Sequence, residues 1–174
     1  MQTTELQLNT LTFKSSRTYL LASAFIIGNL LLPQLLHFVP QGGTVWLPIY
    51  FFTLVGAYRY GWKVGVLTAI LSPVINSLLF GMPSAAALPL ILIKSVALAA
   101  VAGTIADHFK RASLWSILLV ILAYQTIGVA AEWVMSGSLM QALTSVKIAI
   151  PGLFVQLFGG YFVMKSSKLF TKIN

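Results

Sequence analysis

Three ionisable residues lie inside long apolar runs: Lys94, Glu132 and Lys147. A Lys or Asp at the centre of a membrane helix costs about 2.5–3.5 kcal/mol, so an ionisable side chain at that depth marks a functional site unless something mundane neutralises it. Lys94 stands nine residues beyond Ala85, where the fourth apolar run begins. At 1.5 Å per residue that is about 13 Å below the end of the run. An ammonium there needs a carboxylate, a watery cavity or an anionic ligand. Glu132 lies about one turn from the end of the fifth run, and Lys147 about one turn into the sixth. Each alone reads as a snorkelling side chain. Together they make a patch of net charge +1 in one half of the bundle, suited to an anionic or zwitterionic ligand held by lysine as a point charge. The structural alternative is an ion pair between Lys94 and Glu132.

Asn76, Gln125 and Gln156 are amides inside apolar runs. They read equally as interhelical hydrogen bonds and as ligand contacts, with Gln125 and Gln156 able to turn into the same cavity. Trp133 and Trp46 fit an aromatic belt at one interface, Trp62 and Trp115 at the other, and Trp133 is a second-choice stacking residue. Ala24 and Gly28 form a small-xxx-small pair in the first run; Gly61, Gly65 and Ala69 repeat the spacing in the third. Such stripes let helices approach closely, within the bundle or against a separate membrane subunit.

Catalysis has no comparable support. The chain has no cysteine, hence no thiolate ligand or nucleophile. His37 and His108 fall on opposite sides, and Asp107 and Glu132 on opposite faces. No phosphate-cradling glycine loop or nucleophile elbow is present. The expectation is a non-enzyme without metal or cofactor.

The elements that must position these residues are membrane helices. Of 174 residues 58% are apolar and 8% charged, with mean hydropathy +0.90, against about 25% charged in soluble domains. The net charge of +8 does not point to nucleic acid, because it gathers at segment ends, where it meets lipid headgroups. Lys14 and Arg17 precede the first apolar run, Arg59 and Lys63 fill the second break, Lys110 and Arg111 the fourth, and Lys165, Lys168 and Lys172 follow the last. Basic residues on alternate breaks predict six spans with both termini cytoplasmic: residues 19–38, 45–58, 64–80, 85–106, 114–135 and 143–164. The second is short, Pro73 breaks the third, and Pro151-Gly152 interrupts the sixth. The fold class expected is an all-α six-helix membrane bundle over residues 18–168, with cytoplasmic tails at 1–17 and 169–174. The polar start is not a signal peptide, since the run after it is too long and its small residues stand at the wrong end.

Leu47-Pro48, then Gly56, Gly61 and Gly65, then Ser72-Pro73, then Gly81-Met82-Pro83 follow one another in the first half. Leu88-Pro89-Leu90 and Ala99 to Gly103 bracket the fourth run, and Ile150-Pro151-Gly152 with Val155-Gln156-Leu157 marks the sixth. In order and spacing this resembles the substrate-binding S components of energy-coupling factor (ECF) vitamin transporters, over roughly residues 18–168. The resemblance implies a cell-membrane protein that binds a small water-soluble vitamin or precursor from outside, enclosed by helices four to six and the outer loops. It implies partners as well: a transmembrane T subunit, docked through Ala24 and Gly28, and two ATPases. Lysine at position 94 argues against a cationic ligand. On this reading Lys94 and Lys147 hold the ligand's negative group, Glu132 and Gln156 orient it, and residues 40–44 and 81–84 close over it. The competing reading is a structural or regulatory bundle subunit without ligand.

Overall fold

The computed structural model describes residues 11–36 and 38–166; His37, Lys168, Lys172 and most of the two expected tails lie outside them. The chain is an all-α bundle. Its helices are α1 (Ser16–Leu36), α2 (Gly42–Trp46), α3 (Pro48–Tyr60), α4 (Trp62–Phe80), α5 (Leu88–Phe109), α6 (Leu114–Ser136), α7 (Leu139–Phe154) and α8 (Gly160–Ser166). A π-turn at Val155–Gly159 joins α7 to α8, so residues 139–166 form one long helical stretch. Five of these stretches are long and apolar enough to cross a membrane: α1, α4, α5, α6 and residues 139–166. The protein is a multi-pass membrane protein.

The second expected span differs. With 13 residues, α3 is about 20 Å long, short of a hydrocarbon core of about 30 Å. Helix α2 precedes it, set off by Leu47 in the left-handed conformation (φ 49°), and packs on α7. Pro48 then opens α3, a position where its missing N–H has no helical partner to lose. The other corrections concern helix ends and prolines. The fourth span begins at Leu88, not residue 85, because residues 85–87 form a turn. The sixth begins at Leu139, where the Ser138 hydroxyl accepts from the Gln141 amide. Pro73 does not break the third, since α4 runs through it. The freed backbone carbonyl is tolerable because α4 is covered by α1, α3 and α5.

Short α3 is the hub, packed on α1, α4 and α5 and touching α8. Small residues permit this. A side chain at Gly65 would run into Ala57 of α3, with Ala99 of α5 close behind, and one at Gly103 would meet the Trp62 backbone. The Gly65–Ala69 stripe is therefore spent inside the bundle. Leu54, Ala57, Leu98, Ala102, Ile117 and Val120 are fully buried, while Leu20, Leu31, Leu78, Val134 and Phe162 are widely exposed, as lipid-facing positions are. Tyr58 donates to the Arg111 carbonyl at 2.6 Å, Leu11 N–H to Tyr60 at 3.2 Å, and Lys63 stands 5.6 Å over the Phe13 ring. The described basic residues of the segment breaks, among them Lys14, Arg59, Lys63, Arg111 and Lys165, thus share one end of the bundle.

One polar node ties α1 to the hub. Asn29 Nδ2 donates to Thr53 at 3.0 Å and Ser72 at 3.3 Å, and its Oδ1 accepts from the Phe52 amide at 3.2 Å. All three side chains are buried. Interhelical hydrogen bonds in membranes average about 0.6 kcal/mol each and reach about 1.7. Asn29→Leu is expected to lower stability by about 1–2 kcal/mol, read as a lower unfolding temperature in nanodiscs with helix content unchanged.

Candidate functional site

At the end opposite the basic residues, the first turns of α3 and α5 and the facing parts of α6 and α7 leave a cavity of about 560 Å³. Lys94 stands on its wall, six residues into α5, or about 9 Å from the helix start. Its Nζ donates to Glu132 Oε2 of α6 at 2.7 Å. The two side chains are 13% and 7% exposed. The Ser145 hydroxyl of α7 donates to the other carboxylate oxygen, so one carboxylate joins three helices. Gly128, one turn before Glu132, makes the approach possible. A Cβ there would lie 2.7 Å from Lys94 Cε and 2.9 Å from Cγ, so the lysine stem lies in the groove the glycine leaves.

A second polar chain runs beside the first. The Tyr124 hydroxyl donates to Gln156 Oε1 at 2.9 Å and accepts from Gln125 Nε2 at 3.4 Å. Gln156 sits in the π-turn, fully buried, and its Nε2 has no hydrogen-bond partner among the described residues. A π-turn widens a helix locally and recurs at functional sites; here it falls where Gln156 meets Tyr124. The Tyr50 ring of α3 lies 6.0 Å from that of Tyr124 at 43°. Leu47, Ile49, Ile91 and Ile148 make much of the remaining wall apolar.

Helix α2 and the residue before it line one side, contributing Gly43, Thr44 and Gln41. It is seated on α7 by backbone contact: a Cβ at Gly152 would come within 2.6 Å of the Trp46 carbonyl carbon. The helix is flanked by left-handed Gln41 (φ 55°) and Leu47 (φ 49°). Non-glycine residues seldom hold that conformation.

Lys94, Glu132 and Gln125 therefore meet at the cavity, and of residues 40–44 Gln41, Gly43 and Thr44 line it. Gln156 stands behind Tyr124 rather than on the wall. Lys147 does not join them. It is exposed on α7, while Ser145, Val146, Ile148 and Ala149 face the cavity, so the charged wall is a neutral pair and not a patch of net +1. Asn76 is elsewhere, buried in α4 and accepting from Gln34 at 3.3 Å. Trp133 is half-exposed and off the wall, as are residues 81–84, which do not line the cavity. Ala24 is exposed, but the Phe52 ring covers Gly28. Sequence reasoning missed Ser145, Tyr50, Tyr124 and Asn29. Only Asn29 carried a signal, as an amide inside an apolar run; the other three are ordinary residues of membrane helices.

No protein-family model matches this chain, nor does any curated protein or solved structure.

Proposed function

We propose that the protein is the substrate-capturing S subunit of an ECF-type importer in a prokaryotic cell membrane. It takes a small water-soluble vitamin or precursor from outside and passes it on with a T subunit and two ATPases. The observation that carries this reading is the placing of the Lys94–Glu132 pair. An ion pair that served packing alone would be sealed among apolar side chains, whereas this one forms part of the wall of a cavity. Its volume of about 560 Å³ falls in the range of small-molecule sites, about 300–1,000 Å³. Mostly apolar lining with few convergent polar groups is the usual composition of such sites. The cavity lies at the end away from the basic residues, which the positive-inside rule assigns to the outside.

The neutral pair alters the expected ligand. A zwitterion or an uncharged polar molecule suits it better than a simple anion, because no uncompensated lysine remains on the wall. Docking of the T subunit falls to the exposed side of α1, where Leu20, Ala24, Ile27 and Leu31 follow one another at helical spacing. The reading as a structural subunit draws on the same pair, closed at 2.7 Å and steadied by Ser145.

Native mass spectrometry of the purified full chain separates the two readings. A capture subunit is expected to carry one small molecule per protein and to lose it on exhaustive dialysis, with a fall in unfolding temperature, since a ligand at 100 times its Kd adds about 2.7 kcal/mol. A chain that carries no molecule and responds to none of a vitamin panel is a structural subunit.

A further inference from the structure

The cavity's charges and hydrogen-bonding groups restrict what it can hold, an inference that rests on the capture reading above. Lys94 and Glu132 are the charged residues among those lining it, and they neutralise each other at 2.7 Å. A ligand bearing a carboxylate would set two carboxylates against one ammonium. A cationic ligand would set two cations against Glu132. Either leaves an unbalanced charge beside a largely buried ion pair. The exposed Lys147 on the far side of α7 cannot compensate.

The pair still has hydrogen-bonding capacity. An ammonium has three donors, and among the described residues Glu132 takes one of them. A carboxylate has about four acceptor positions; Lys94 and Ser145 use two. The wall therefore presents a spare donor immediately beside a spare acceptor. The complementary ligand edge is an acceptor beside a donor, which is the C=O and N–H of a cis amide. A carboxylate edge offers two acceptors and an amidinium edge two donors, so each matches only half the pair. A zwitterion would have to prise Lys94 from Glu132 to place both its charges. Gln125 adds a further amide on the same wall, and the Tyr50 and Tyr124 rings with Ile91 and Ile148 line the same cavity.

We propose that the ligand is uncharged overall and lays an amide edge, of the lactam, ureide or primary-amide type, across the intact Lys94–Glu132 pair.

An isosteric series tests this directly: benzamide, benzoate and benzamidine, with 4-(aminomethyl)benzoate as the zwitterion. Each is titrated against the full-length protein in nanodiscs by thermal shift and isothermal calorimetry after dialysis. Benzamide is expected to bind at least tenfold more tightly than the other three. Glu132→Gln is expected to move the preference to benzoate, because Lys94 then stands uncompensated, and Lys94→Met to move it to benzamidine. If a variant fails to fold, the wild-type ranking decides alone. A wild-type preference for benzoate, benzamidine or the zwitterion overturns the amide-edge proposal and leaves the capture reading standing. If none of the four binds, the net charge and polar edge of the co-purified molecule decide; a charged molecule overturns the proposal. No binding together with no co-purified molecule overturns both readings.

Discussion

Lys94→Met alone is expected to destabilise the bundle by about 3–5 kcal/mol, the usual result of stripping one partner from a buried ion pair. Methionine is close to lysine in length and fits the groove over Gly128, so lost packing contributes little. The damage comes from Glu132, which is 7% exposed and keeps Ser145 as its remaining partner among the described residues. Adding Glu132→Leu should restore most of the loss, because a buried pair replaced by apolar residues of similar volume is often neutral or stabilising. A double-mutant cycle on unfolding in nanodiscs measures this. A single mutant no worse than the double would mean that Glu132 is well solvated in the cavity and that the pair does not hold α5 to α6. The double mutant separates fold from function: it is expected to be stable and yet to bind no polar ligand.

The apolar runs and the charge pattern made the all-α bundle, five of its six expected spans and its basic end legible, because lipid forces polar groups to the ends of spans. The meeting of Lys94 with Glu132 was legible as one of two readings, since two opposite charges at similar depth on successive helices have few other partners. Azimuth was not legible. An α-helix turns about 100° per residue, so Lys147, two residues past Ser145, points away from the wall that Ser145 helps to build. Trp133, one residue past Glu132, is likewise carried off the wall. Depth can be counted along a sequence, but facing depends on the neighbour a helix packs against. Asn29 shows the same limit, as its partners Thr53 and Ser72 come from two other helices. Pro89, at the first turn of α5, was a usable start signal that would have placed Lys94 nearer the helix end.

Gly152→Ala is expected to weaken ligand binding by about 10–100-fold, or about 1.4–2.7 kcal/mol, while most of the bundle stays folded. The added methyl would stand 2.6 Å from the Trp46 carbonyl carbon and 2.7 Å from the Val45 and Trp46 carbonyl oxygens. Those are backbone atoms, so no rotamer change relieves the overlap, and α2 has to move as a body. Its left-handed flanking residues, Gln41 and Leu47, are where such a movement would be absorbed. Gln41, Gly43, Thr44 and Leu47 would leave the cavity wall with it. The buried core gathers on α3 to α6 and α8 and contains no α2 residue, so the overpacking should cost no more than the usual 1–3 kcal/mol or so. Trp46 reports the displacement directly. With Trp62, Trp115 and Trp133 changed to phenylalanine, its emission should shift to longer wavelength in Gly152→Ala. Gly128→Ala makes the contrast. There the obstructing atoms are Cγ, Cδ and Cε of the flexible Lys94 stem, so the lysine is pushed aside and α2 stays in place. That variant should lose affinity with Trp46 emission unchanged. Unshifted emission in Gly152→Ala would mean that α2 is not held by its seat on α7, and the closure of this side of the cavity would then need another cause.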